Sequence, residues 1–231
     1  YPTAFELPTN AEIHALLDVA KECGVTFLDT APAYGTSEER LGKVLAERDD
    51  DWTIGTKAGE EFVEGDSVFD FSGEHVRMSV ERSLRRLGRE RLEIVLIHSS
   101  GEDEAILRET GAVETLQNLK QAGKIGAIGI STKTVAGGKL AFELGLDAVM
   151  ATYNPWYCDE RPVLDAAAEL GTGILIKKAL GSGWLGKDSG KSPAEQVKES
   201  FEFIFGHPGA TAVVVGTLNS DNLRANCAAL P

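Results

Sequence analysis

The sequence predicts a (β/α)8 TIM barrel lacking its first strand, and three observations lead there. Seven short apolar runs rich in β-branched residues alternate with longer segments of helical periodicity, the pattern of a parallel sheet with helical crossovers. The runs are apolar throughout, as strands buried on both faces are. No phosphate loop of the kind an open doubly wound sheet carries follows the first run, whether written G-x-G-x-x-G or G-x-x-x-x-G-K-[ST]. Such a barrel has eight strands and needs roughly 250 residues. The 231 residues here open at Tyr1 without an initiator methionine. The eighth strand is therefore expected before Tyr1, in a slot between the first and last visible strands.

In chain order, the predicted strands are Val25–Asp29, Trp52–Lys57, Leu92–His98, Ile125–Ser131, Ala148–Tyr153, Gly173–Lys177 and Ala212–Gly216. The predicted helices are Ala11–Cys23, Ser37–Glu47, Gly73–Leu87, Ala112–Ala122, Val135–Leu144, Arg161–Leu170, Ser192–Phe205 and Ser220–Ala229. In the first helix, Ile13, Leu16, Leu17 and Ala20 fall at i, i+3, i+4 and i+7 and make one apolar face. Thr36 and Ser37, with Glu39 behind them, offer capping oxygens and early negative charge to the second. Gly24, Gly88, Gly123, Gly145 and Gly171 stand where helices stop, as left-handed C-caps require. No Pro/Ser-rich linker or low-complexity tract divides residues 1–231, which read as one domain.

Composition narrows the function classes. The chain is 42% hydrophobic and 26% charged, values typical of a globular protein. No apolar run approaches the roughly 18 residues that a membrane span needs. With 36 acidic against 23 basic side chains and a net charge of −13, neither a nucleic-acid backbone nor an anionic membrane surface is an expected partner. Cys23, Cys158 and Cys227 are far apart and form no C-x-x-C, so no disulfide framework and no metal site is expected. A reducing, cytoplasmic location fits that usage. The sequence carries no signal of oligomeric state.

Barrel enzymes build their sites at the carboxyl ends of the strands. Standing there are Asp29, Lys57, His98, Ser131, Asn154 and Lys177. A single strand-end polar residue is often structural, whereas three ionisable groups of different character at neighbouring strand ends point to a site. His14, His75 and His207 are expected at the surface, and Trp52 and Phe27 in the core.

The residues around those positions resemble the aldo-keto reductase family, in its bacterial branch. Phe27-Leu28-Asp29-Thr30-Ala31-Pro32-Ala33-Tyr34-Gly35 is similar to the D-T-A-x-x-Y-G motif and is followed by Ser37-Glu38 and Leu41-Gly42. Ile54-Gly55-Thr56-Lys57 resembles the strand-end lysine. Ser83 to Gly88 followed by Ile94 to His98 resembles S-L-x-x-L…D-x-x-x-x-H, with Glu93 where Asp is common. Gly126–Ser131, Tyr153-Asn154-Pro155, Val215-Gly216-Thr217 and Asn226 also match.

The resemblance implies reduction of a small-molecule aldehyde or ketone by NADP(H), with Asp29, Tyr34, Lys57 and His98 as the catalytic set. The chemistry suits those types. A nicotinamide supplies hydride, and a positioned acid must protonate the developing alkoxide. Tyr34 is that acid; a phenol near pKa 10 is a weak one unless an ammonium such as Lys57 stabilises its phenolate. Asp29 holds Lys57, and His98 donates a hydrogen bond to the substrate oxygen or relays the proton.

For the cofactor the resemblance implies Ser131, Thr132, Met150, Lys177, Leu180, Gly181, Ser182, Gly216, Thr217, Asn222 and Asn226. Three of these differ from common family residues: Thr132 replaces Asn, Met150 a glutamine and Lys177 an aromatic. Asn219, Asn222 and Arg224 are all that the distal loop offers a 2′-phosphate, so NADPH is expected to exceed NADH modestly. Trp156, Tyr157 and Trp184 are expected to line the substrate pocket. Two other readings stand beside this one. A Schiff-base aldolase would use Lys57 or Lys177 as nucleophile, and a regulatory barrel would bind nucleotide without turnover.

Overall fold

The computed structural model describes residues 7–183 and 190–231. The chain runs α1 (Asn10–Glu22), β1 (Phe27–Asp29), α2 (Ser37–Leu45), β2 (Thr53–Ala58), β3 (Glu60–Val63), β4 (Asp66–Phe69) and α3 (Gly73–Leu87). It continues through β5 (Leu92–His98), α4 (Asp103–Glu109), α5 (Ala112–Gln121), β6 (Ile125–Ser131), α6 (Val135–Glu143) and β7 (Ala148–Thr152). The last part holds α7 (Arg161–Leu170), β8 (Gly173–Lys177), a 3-10 turn at Gly181–Gly183, α8 (Pro193–Phe205), β9 (Ala212–Val213) and α9 (Ser220–Ala228).

Seven strands form one parallel sheet in the order β1-β2-β5-β6-β7-β8-β9. Consecutive barrel strands are therefore neighbours, which is barrel topology rather than the reversing order of an open doubly wound sheet. Among the described residues β1 and β9 each pair on one side, so the slot for an eighth strand lies between them, where the sequence places it. The helical layer crosses that slot: Arg224 of α9 pairs with Glu22 at the end of α1 at 2.6 Å.

Two apolar layers hold the sheet. The outer layer packs strand residues such as Ile54, Val95, Ile97, Ile128 and Ile130 against helix residues such as Val80, Leu84, Leu116 and Leu140. Each fully buried aliphatic side chain there stabilises the fold by about 1.5–3 kcal/mol. The inner layer consists of Leu96, Met150 and Leu175, flanked by Phe27, Ile94, Ala212 and Val214. Gly55 makes room for this layer, since a Cβ at that position would lie 2.6 Å from the Phe27 ring.

Several expectations need correction. Strand–helix alternation is broken by the antiparallel hairpin β3–β4, whose two-residue loop Glu64-Gly65 has positive φ at both positions, 53° and 100°. That is the backbone of a type I′ turn. Helix α4 was also not anticipated. The first and last strands are shorter than predicted; among the described residues each pairs with one neighbouring strand. Thr36 is the N-cap of α2 but makes no side-chain cap; instead the Thr30 hydroxyl donates to Ser37 Oγ at 2.9 Å. His207 is buried rather than superficial: it pairs with Asp165 at 3.0 Å and accepts from the Gly209 amide at 3.1 Å. His75 is largely covered beside Glu61 at 3.3 Å. The five C-terminal glycines all have positive φ, as expected. No helix among the described residues is long and apolar enough to cross a membrane.

Candidate active site

The parallel strands aim their carboxyl ends at one mouth, and four side chains meet there. Asp29 ends β1, Lys57 is the penultimate residue of β2, and His98 ends β5. Tyr34 lies in the turn after β1, where its amide donates to the Ala31 carbonyl at 3.0 Å and Gly35 takes φ 62°. Lys57 is 1% exposed. Its Nζ donates to Asp29 Oδ2 at 2.6 Å and to the Thr30 carbonyl at 3.0 Å. The same Nζ stands 4.8 Å from the centre of the Tyr34 ring. The Tyr34 and His98 rings meet edge to face with centroids 6.1 Å apart.

The electrostatics differ from the expectation that Lys57 lowers the Tyr34 pKa. Burial, followed by the fields of Asp29 and Glu60, drives the Tyr34 phenol well above its ordinary value. Burial also raises Asp29, outweighing the pull of Lys57. Burial and the ammonium groups of Lys57, Lys177 and Lys133 push His98 down to about 3, so its ring is neutral near pH 7. Lys177 falls to about 8, mainly through burial. The physical reason is the same throughout: taking a charge out of water disfavours the charged form.

These groups open on one cavity. Its wall includes Asp29, Tyr34, Lys57, His98, Ser131, Thr132, Met150, Lys177, Gly181, Ser182, Gly216, Thr217 and Asn226. Trp156 and Tyr157, 50% and 38% exposed, also line it. Leu180 and Asn222 are not in the wall, and Trp184 lies outside the described residues.

The polar wall is already organised. Lys177 Nζ donates to Ser131 Oγ at 2.9 Å and to the Thr132 carbonyl at 2.6 Å. The Thr132 hydroxyl donates to the buried Glu160 carboxylate at 2.8 Å, which also accepts from the Thr152 amide at 2.7 Å. Asn219 caps α9, accepting from the amides of Asp221 and Asn222 at 2.8 and 3.0 Å.

Sequence reasoning missed three residues here. Glu60 lies 2.5 Å from His98, Phe62 of the hairpin joins the cavity wall, and Glu160 holds Thr132. Only the first two had a signal, an acid-rich segment after Lys57 around Glu64-Gly65 that reads as a hairpin.

Fold and site together define a parallel barrel with its polar groups gathered at the carboxyl ends of the strands. The Aldo/keto reductase family matches residues 6–204, and the chain belongs to that family. It is 29% identical over 215 residues to a D-threo-aldose 1-dehydrogenase of Pseudomonas sp., covering 81% of this chain and 65% of that protein. It is 41% identical over 115 residues to an L-galactose dehydrogenase of Arabidopsis thaliana, covering 47% of this chain and 34% of that one. The chain thus spans less than two thirds of the length of either relative. A solved structure from Pseudomonas aeruginosa, provisionally assigned as an aldo-keto reductase, superposes with a TM-score of 0.89. It is 47% identical, with 96% of this chain and 84% of that chain covered.

Proposed function

We propose that the protein is an NADPH-dependent reductase of small-molecule aldehydes or ketones, with Tyr34 as general acid. The observation that supports this most is the convergence of Tyr34, Lys57, Asp29 and His98 on one cavity mouth. The cavity fits a dinucleotide in its chemistry. Backbone at Gly181, Ser182, Gly216 and Thr217 lines the wall beside hydrogen-bonding side chains from Ser131, Thr217 and Asn226. A Cβ at Gly216 would meet nothing within 4 Å, so that stretch of wall stands open. These residues, with Met150 and Lys177 nearer the reacting end, would hold the cofactor, which supplies hydride to the carbonyl carbon.

The chain's own groups manage the proton. Because burial and two carboxylates raise Tyr34, the phenol keeps its proton at neutral pH and enters the reaction as an acid. An alkoxide is a stronger base than a phenolate and takes that proton. Lys57, fixed against Asp29, stands over the ring to stabilise the phenolate left behind. His98 faces the same cavity and orients the oxygen by hydrogen bonding.

Loss of NADPH absorbance against a panel of aldehydes and ketones tests this reading. Turnover that Tyr34→Phe abolishes supports it; no turnover with any carbonyl counts against it. An aldolase acting through Lys57 or Lys177 would instead leave a covalent adduct after borohydride trapping. The hydrogen bonds that hold both amines, Lys57 to Asp29 and Lys177 to Ser131 and the Thr132 carbonyl, favour the reductase.

A further inference from the structure

We propose that Lys177 makes the cavity distinguish the two redox states of its nucleotide: its ammonium disfavours the cationic ring of NADP+ and so favours NADPH. This rests on the reductase reading of the same cavity and goes beyond it, to the residue that sets which form of the cofactor is retained.

Strand alternation turns Lys177 to the inside of the sheet. Residues two apart on a strand share a face, and Lys177 follows Leu175 of the inner layer just as His98 follows Leu96. Both Lys177 and His98 line the cavity. In register, Lys177 of β8 lies beside Thr152 of β7, Met150 of β7 beside Ser131 of β6, and Ser131 beside His98 of β5. From β8 the Lys177 side chain reaches across β7 to the end of β6. There its Nζ donates to Ser131 Oγ at 2.9 Å and to the Thr132 carbonyl at 2.6 Å. The ammonium is thus held at a residue whose neighbour on the next strand is His98.

The partners of Lys177 leave its charge unbalanced. Lys57 is neutralised by Asp29 at 2.6 Å. Lys177 rests instead on a hydroxyl and a carbonyl, both neutral, and forms no ion pair among the described residues. The Glu160 carboxylate is taken up by the Thr132 hydroxyl and the Thr152 amide. The other charges acting on Lys177 are Asp103 of α4, Lys133 after β6 and Lys178 at the next position. With a pKa of about 8, the amine is mostly protonated at pH 7.

Hydride transfer needs the nicotinamide in contact with the carbonyl carbon, whose oxygen belongs at Tyr34. The ring therefore belongs at the mouth on which His98 and Lys177 converge. NADP+ and NADPH carry the same sugars and phosphates; they differ by one hydride and, with it, by the positive charge of the oxidised ring. Any attraction of Lys177 for phosphate cancels in the ratio of their dissociation constants, whereas repulsion of the ring does not. A unit charge acting through a protein interior changes such a ratio by about tenfold. The hydride donor is retained and the spent cation is released.

The test is titration of the full chain with NADPH and with NADP+ at pH 7, by fluorescence and calorimetry, in wild type and three variants. Lys177→Gln removes the charge but keeps an N–H donor for Ser131 and Thr132; Lys177→Met is a second neutral side chain; Lys177→Arg keeps the charge. Wild type should bind NADPH more tightly than NADP+. Both neutral variants should shrink that preference by about tenfold, and Lys177→Arg should retain it. A merely structural role for Lys177 would leave Lys177→Gln like wild type. A preference unchanged in both neutral variants, equal weakening of both nucleotides, or tighter NADP+ in wild type overturns the proposal. Carbonyl turnover, measured separately, judges the reductase reading, so either can fail alone. If wild type binds neither nucleotide, both fall.

Discussion

Tyr34 and Lys57 touch each other yet should fail in different ways when replaced. Removing a general acid typically costs ~10²–10⁴-fold in rate, so Tyr34→Phe should lose kcat on that scale while nucleotide affinity, followed by fluorescence titration, barely moves. Wild-type kcat in Tyr34→Phe would rule out its role as acid. Lys57→Met should lose stability too, because it leaves the buried Asp29 carboxylate without its ammonium, a change that costs about 3–5 kcal/mol in comparable pairs. The sign of the pH dependence follows from Asp29, whose pKa is raised in the fold. A raised carboxyl contributes stability in full below its unfolded value, and that contribution is lost as pH rises through the folded value. Without Lys57 the folded value climbs further and the loss extends to higher pH. The melting deficit of Lys57→Met should therefore be larger near pH 8 than near pH 5, and Asp29→Asn in the same chain should remove most of it. A deficit that ignores pH would assign the loss to packing alone.

At the scale of elements, Asp103 joins units distant in sequence. It is the first residue of α4 and is buried; its Oδ2 accepts from the Lys133 amide at 3.0 Å, the Thr134 amide at 2.8 Å and the Thr134 hydroxyl at 2.7 Å. Those donors open α6, and Gly137 of α6 packs so closely that a Cβ would meet Asp103 at 2.1 Å. Asp103→Ala leaves several donors unsatisfied at about 1–3 kcal/mol each, so a loss of roughly 3 kcal/mol is expected. Urea unfolding should show a lower midpoint with an unchanged slope. None of this could be read from sequence, because Asp103 precedes its partners by about thirty positions and nothing local marks the pairing. The barrel strands and helices were legible for the opposite reason: β-branched runs, apolar faces and C-cap glycines are local signals. The β3–β4 hairpin fell between the two. Its turn is Glu64-Gly65 rather than Asn-Gly, and its apolar residues Phe62, Val63, Val68 and Phe69 remain largely exposed. At the mouth, residue types and strand ends were legible, but the rise at Tyr34 was not, since desolvation depends on how the finished fold covers the ring.

Across the whole molecule, the far end of the cavity bears on cofactor choice. Arg224 is paired with Glu22, and the first amides of α9 are capped by Asn219. Each charge-assisted contact to a 2′-phosphate contributes about 1.5–3 kcal/mol, so one missing contact narrows discrimination by about tenfold. NADPH should bind more tightly than NADH by a modest margin that shrinks with added salt. Glu22→Gln, by releasing Arg224, should widen it. Equal affinities for the two, measured at two ionic strengths, would refute the NADP(H) assignment and leave the catalytic set standing.

Strand length is also graded across the sheet: β1 and β9 have three and two residues, the shortest of its seven strands. The seven-residue strands β5 and β6 lie deep inside the order, held by neighbours on both flanks. Amide hydrogen exchange should accordingly be graded: fastest in β1 and β9, slower through β2 and β8, slowest in β5 and β6. Such a gradient means that the short strands flanking the cavity yield first, while the strand that carries His98 stays locked. Uniform protection around the sheet would show instead that strand length does not set the order of opening.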